Sequence, residues 1–188
     1  MKNEFGNIVI WEGTDWKSME CMEWNTRTSG TIVNSQLMGV LDGEPFHYKY
    51  RIETDDQWRT EYFLVHDLLN THNKLELRSD KNGTWFDNDK EMPDLKGCYD
   101  IDISLTPFTN TLPIRRMALL KGVKNTIQVL YIKLPVFEVS KVMQHYTMLS
   151  ENCYVYEGVF RNFIAELPVD DHKMVIDYPG LVKRLYPR

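Results

Sequence analysis

Long apolar runs are missing from this chain. No window approaches the roughly 18 apolar residues of a membrane-spanning helix. The opening MKNEFGNIVIWEG carries only a short apolar run at 8–11, where a signal peptide needs about 7–15 such residues. Stable membrane insertion is therefore not expected, and a cytoplasmic location is. Cysteine is scarce: Cys21, Cys98 and Cys153 are an odd set with no CxxC. They read as reduced thiols, not a disulfide framework. Among His47, His66, His72, His145 and His172 no two lie three to five apart, so local zinc-motif spacing is absent. There is no GxSxG and no Gly-rich phosphate loop, and no metal or cofactor is expected. Positive charge is not in excess. The net charge of -5 argues against a nucleic-acid or anionic-membrane surface.

What is present is period-two alternation between turns. FHYKYRI places Phe46, Tyr48, Tyr50 and Ile52 on one face and His47, Lys49 and Arg51 on the other, as in a half-buried strand. Asp42-Gly43 before it is a hairpin signal. WRTEYFLVHDLL, NKLELRS, TWFD, YVYEGVF, FIAEL and MVIDY give further short strands, with DKNG and NDKE as turns. Such spacing predicts an antiparallel all-β fold. The run TIQVLYIKL at 126–134 is apolar on both faces, so it must be covered on both sides or line an apolar cavity. RRMALLKG is ambiguous between helix and strand; the strand reading is taken, with KGVKN as a following turn. Asp177 and Pro179 suggest a short C-terminal helix. The 188 residues fit a single domain spanning 1–188.

Chemistry concentrates in CYDIDISLTPFTNTLPIRR, residues 98–116. Asp100 and Asp102 share a strand face with Cβ atoms roughly 7 Å apart. That separation falls inside the roughly 6.5–9.5 Å window of an inverting glycosidase pair. The alternative is a polar face paired with Arg115, Arg116 or Arg59. The paired arginines can clamp an anionic group through their guanidinium forks, although on a strand only one would face a ligand. Thr106, Thr109, Asn110 and Thr111, stiffened by Pro107 and Pro113, can bond their own loop or form the polar rim of a cavity. Cys98, beside Gly97, is the best thiol candidate for a nucleophile. The abundant aromatics suit a β core or a ligand cavity alike.

LKGCYDIDISLTPFTNTLPIRR, QHYT at 144–147, VIDYPGL at 175–181 and DDQWRT at 55–60 together resemble a family of bacterial proteins described as "putative glycolipid-binding", formerly a domain of unknown function. The resemblance runs over almost the whole chain, including the Trp11 strand. It implies a curved antiparallel sheet, a half-barrel-like spiral β-roll similar to the carriers that shuttle lipoproteins between bacterial membranes. Those carriers hold acyl chains in an apolar cavity. Positions that match the family pattern include Trp85, Cys98 and Asp177. The candidate ligand-binding residues are Trp58, Arg59, Asp100, Asp102, Thr106, Thr109, Asn110, Arg115, Arg116, Gln144, Tyr146, Tyr156 and Tyr178. One departure is the turn before VIDYPG, which reads Asp170-Asp171-His172-Lys173 where the family is expected to carry glycine. The leading expectation is a non-catalytic binder of a lipid or glycolipid, its acyl chains held between the sheet's inner face and the C-terminal helix. The alternatives are a hydrolase using Asp100 and Asp102 in the same cleft, and an interaction module without a small ligand. Either a monomer or a homodimer is compatible with these features.

Overall fold

The computed structural model describes residues 7–158 and 163–187. Its larger sheet is built from successive hairpins. These are β1 (Asn7–Gly13), β2 (Lys17–Arg27), β3 (Gly30–Leu41), β4 (Glu44–Asp55), β5 (Thr60–Asp67), β6 (Lys74–Ser79), β7 (Trp85–Asp87) and β8 (Lys90–Glu91). Each pairs antiparallel with the next. Turn chemistry sets the register. Asp42 and Gly43 both adopt positive φ, 53° and 88°, and Leu41 faces Glu44 across the turn. Two left-handed residues give the type I′ hairpin whose twist matches the flanking strands.

The smaller sheet takes β9 (Asp100–Ile103), β10 (Lys124–Lys133), β11 (Glu138–Ser150), β12 (Cys153–Gly158) and β13 (Phe163–Pro168) in the order β13-β12-β11-β10-β9. Val159 and Phe160, the end of the expected YVYEGVF strand, lie outside the described residues. Its pairs are antiparallel except β9 with β10, which run parallel. Parallel neighbours cannot be joined by a tight turn and need a long crossover. The polar stretch after β9 is that crossover. It contains a 3-10 turn at Phe108–Asn110 and the helix α1 (Thr111–Arg116).

Two expectations are corrected here. The strand expected in RRMALL is a helix as far as Arg116, with Met117 extended beyond it. Pro113 falls in the first turn, where no intrahelical N–H bond is lost. The expected C-terminal helix is a hairpin of β14 (Asp177–Tyr178) and β15 (Val182–Tyr186). Leu181 N donates to Tyr178 O at 2.9 Å, and Gly180 has φ 74°. Proline followed by a left-handed glycine is the signature of a type II turn. β15 then pairs with β1, so the larger sheet runs β14-β15-β1 through to β8. Among the described residues the fold is all-β and curved, without closure into a barrel, and carries one short α-helix.

The alternation read from FHYKYRI holds: Phe46, Tyr48, Tyr50 and Ile52 are all buried. They join Trp11, Phe63, Trp85, Phe108, Leu130 and Ile132 in one hydrophobic core that draws on both sheets. Two indole N–H groups pin distant segments onto it. Trp11 Nε1 donates to Val175 O and Trp85 Nε1 to Cys98 O, each at 2.8 Å. Polar tips on large apolar rings need such partners once buried. In the turn that lacks glycine, Lys173 takes the left-handed conformation at φ 64°. The Asp170 carboxylate compensates by accepting from His172 N and Met174 N, each at 2.9 Å.

Candidate functional site

On β9, Asp100 and Asp102 point from the same face but meet different partners. In register, Asp100 lies beside Val129 and Asp102 beside Tyr131. Asp100 is completely buried and takes a forked grip from Arg116 on the last turn of α1. Arg116 Nε donates to Oδ1 at 2.9 Å, and Nη2 donates to Oδ2 at 2.6 Å. Burial pushes the Asp100 carboxyl above the usual carboxylate range, and Arg116 opposes this. The Arg116 guanidinium also lies over the Tyr99 ring, 5.4 Å from its centroid. The pair ties the crossover helix to the strand it leaves.

Asp102 is held by neutral donors. Thr109 Oγ1 donates to its Oδ1 at 2.8 Å, and Gln144 Nε2 to its Oδ2 at 2.6 Å. Burial raises this carboxyl as well, while those two donors favour its charged form. Behind them, Tyr146 OH donates to Asn110 Oδ1 at 2.9 Å, and Asn110 Nδ2 to Pro107 O at 3.1 Å. A network in which each member has its partner is rigid.

Asp102 opens onto a cavity of about 430 Å³ above the smaller sheet, within the roughly 300–1,000 Å³ range of small-molecule sites. Its polar lining includes Asp102, Thr106, Asn110 and Gln144. Tyr131, Tyr156, Tyr178, Phe163 and Trp16 supply aromatic walls, and Leu134, Val142 and Leu181 aliphatic ones. The type II turn after β14 delivers Tyr178 and Leu181, and the β1–β2 connection delivers Trp16. Tyr156, Tyr178 and Phe163 pack ring against ring, with centroids 5.8–6.3 Å apart. Burial raises the Tyr156 and Tyr178 hydroxyls well above the usual tyrosine range, with the Asp102 charge adding to it. Trp16 Nε1 is buried with no acceptor among the described residues. Gly158 leaves room for Tyr156, since an added Cβ would stand 3.0 Å from its hydroxyl oxygen.

Six of the thirteen candidate residues line this cavity: Asp102, Thr106, Asn110, Gln144, Tyr156 and Tyr178. Thr109 and Tyr146 support it from behind through the bonds above. The other five, Trp58, Arg59, Asp100, Arg115 and Arg116, are absent from its lining. Arg59 Nε donates to Asp55 Oδ2 at 2.7 Å. Arg115 stacks over Trp58 with its Cζ 4.2 Å from the ring centroid, and its Nη1 donates to His172 O at 3.0 Å. The expected clamp residues Arg115 and Arg116 both lie outside the lining of this cavity, and Asp100 and Asp102 sit on one strand instead of facing each other across it. Cys98 is fully buried, and burial pushes its thiol up to about 11, so it is not an activated nucleophile. Among the described residues no cluster of three His, Cys, Asp or Glu side chains could hold a metal ion.

Sequence reasoning missed Trp16, Tyr131 and Phe163. Tyr131 carried a signal: it is the aromatic with a polar tip inside the run that is apolar on both faces. Trp16 carried none, because its turn gains meaning only from where the sheet curves. A second depression, about 450 Å³, is lined by Glu23, Asn25, Asn34 and Arg51. It lies on the face of β2 opposite buried Met22 and includes none of the thirteen candidates.

Fold and cavity together define a curved-sheet all-β protein with a mixed polar and aromatic chamber. The chain belongs to the family described as "Putative glycolipid-binding", whose model matches residues 8–184. It is also similar to a solved structure, the crystal structure of a protein of the DUF1089 family from Pseudomonas aeruginosa. The two share 37% identity over 88% of this chain and 92% of that one, with a TM-score of 0.79. No curated protein matches the chain significantly.

Proposed function

We propose that this protein binds an amphiphile, a lipid or glycolipid, in the cavity above the smaller sheet and does not react with it. The observation that carries this reading is the split lining. A fixed polar floor around Asp102 and Gln144 lies under aromatic and aliphatic walls. Apolar walls with a few convergent polar groups are the usual design of a small-molecule site. The volume of about 430 Å³ equals about fourteen waters at roughly 30 Å³ each, enough for one polar ring and the start of a chain. The family description points to the same ligand class. The hydrolase reading loses its acid/base pair, because the Asp100 carboxylate is held by Arg116. No helix among the described residues is long and apolar enough to cross a membrane, so the ligand would be received in a cavity and not along a spanning helix.

Titration with Nile red, a neutral apolar dye, tests the reading. Saturable binding at one dye per chain, displaced by alkyl amphiphiles, is expected. Val142→Trp, which fills the half-buried wall beside Gln144, should abolish it in a folded protein. Unsaturable binding, or a folded Val142→Trp variant that binds like the parent, would overturn the assignment.

A further inference from the structure

We propose that Glu20 makes the cavity respond to pH: an amphiphile is held while Glu20 carries a proton and is released as that proton is lost. The proposal rests on the amphiphile-binding reading and adds regulation to it.

Glu20 is on the inner face of β2, flanked in register by Trp11 on β1 and Leu37 on β3. All three are buried. Ser35 Oγ from β3 donates to Glu20 Oε1 at 2.8 Å, and Tyr50 OH from β4 donates to the same oxygen at 2.5 Å. Oε2 has no partner among the described residues. Tyr50 spends its proton on Glu20, so in the 3.3 Å contact between Tyr50 OH and Thr106 Oγ1 the threonine is the donor. Thr106 Oγ1 in turn accepts from Phe108 N at 3.1 Å. Thr106 and its neighbour Leu105 line the cavity, as does Trp16 on the connection that leads into β2. A chain of two hydroxyls therefore runs from the cavity lining to a buried carboxyl in the larger sheet.

Little charge faces that carboxyl. Among the described residues, β4 brings Tyr50, which burial keeps protonated far above the usual tyrosine range. β3 brings Ser35, the stretch after β9 brings Thr106 and β1 brings Trp11, none of them charged. On β2 itself Cys21 and Glu23 point to the opposite, exposed face. Without a counter-charge, burial favours the neutral carboxyl, and Glu20 is pushed up to about 7. Its ionised form needs solvent at Oε2, and the cavity is a space for solvent that adjoins this cluster at Thr106. An acyl chain there replaces solvent with apolar surroundings and disfavours the charge further. Occupancy then favours the proton, and by reciprocity the proton favours occupancy. Below about 7 Glu20 is protonated with or without a ligand, so affinity is constant. Above that, binding takes up a proton, and affinity falls as pH rises until the occupied form also ionises.

Nile red titrations of the full chain between about pH 5.5 and about pH 9 test this, with circular dichroism confirming the fold at each pH. The dissociation constant should be flat at acid pH and rise about tenfold above neutrality, if occupancy raises the proton affinity of Glu20 about tenfold. Glu20→Gln, neutral throughout, should bind at every pH as the parent does at acid pH. Tyr50→Phe removes a donor that favours the ionised carboxylate, so it should move the fall to higher pH; this variant decides the matter should Glu20→Gln not fold. A parent affinity constant to within about twofold across the range would overturn the coupling and leave amphiphile binding intact. A fall that persists in Glu20→Gln, or stays in place in Tyr50→Phe, would put the proton on another group, such as Asp102, and would overturn it too. If Nile red binds at no pH, both readings fail together.

Discussion

Replacing Glu20 by glutamine should stabilise the protein at alkaline pH and do little at acid pH. Glu20 faces the core from β2 and is 2% exposed. Ser35 Oγ donates to its Oε1 at 2.8 Å and Tyr50 OH at 2.5 Å, while Oε2 is buried with no partner among the described residues. Among the described residues its polar neighbours are Tyr50, Thr106 and Ser35, none of them a cation. Burial therefore dominates and pushes the carboxyl from 4.5 up to about 7, against the opposing pull of those three hydroxyls. The sign follows from linkage. Below pH 4.5 the proton is bound in both the folded and the unfolded chain, and Glu20 costs nothing extra. Between 4.5 and about 7 the unfolded chain has lost a proton that the folded chain keeps, so stability falls as pH rises. Above about 7 the loss is complete, about 3 kcal/mol at roughly 1.4 kcal/mol per tenfold change in proton affinity.

Glutamine keeps an oxygen for Ser35 and Tyr50 and is neutral at every pH. Its NH₂ stands where the protonated acid would place its O–H and brings two N–H donors where the acid brings one, an offset that is the same at every pH. Urea unfolding followed by tryptophan fluorescence at about pH 5 and about pH 8 reads the difference. The advantage of Glu20→Gln should grow by about 2–3 kcal/mol between the two conditions. An advantage that stays constant with pH, to within about 0.5 kcal/mol, would refute the reasoning: Glu20 would then be ionised in the fold across the whole range, or hydrated.

Other outcomes follow from the same geometry. Arg116→Ala strands the buried Asp100 charge and should cost about 3–5 kcal/mol in denaturant unfolding, and adding Asp100→Asn should restore much of it. Arg115→Ala removes the stack on Trp58 and the hydrogen bond to His172 O, so about 0.5–2 kcal/mol of stability should be lost with Nile red binding retained. Gly158→Ala places a methyl 3.0 Å from the Tyr156 hydroxyl oxygen; the ring must shift, and Nile red affinity should fall several-fold. Alkylation by iodoacetamide at about pH 8, read by mass spectrometry, should modify exposed Cys21 first. Cys98, buried and with its thiol pushed up to about 11, should react only after unfolding.

Some of this protein was legible residue by residue, because the information was local. The buried face of β4 followed from alternation alone. The hairpin after β3 followed from Asp42-Gly43, since two adjacent residues suffice to set a left-handed turn. Asp102, Gln144, Tyr156 and Tyr178 came forward through motifs that run along the chain, and they converge on one cavity. The C-terminal turn was misread because Asp, Pro and Gly serve a helix cap and a type II turn equally well. Only the pairing of β15 with β1 distinguishes the two.

The sequence by itself determined the all-β class, the strands' inner faces, the hairpin turns and the family. Periodicity and turn preference act over two to four residues, so they are written into adjacent positions. The tertiary structure decided which aspartate meets an arginine and which meets the cavity. Asp100 reaches an arginine 16 residues away, and Asp102 a glutamine 42 residues away. Those partners are brought in by the parallel β9–β10 crossover and by the β10–β11 register. Two side chains on the same face of one strand acquire different roles because the elements folded over them differ, and no local pattern records which element that will be.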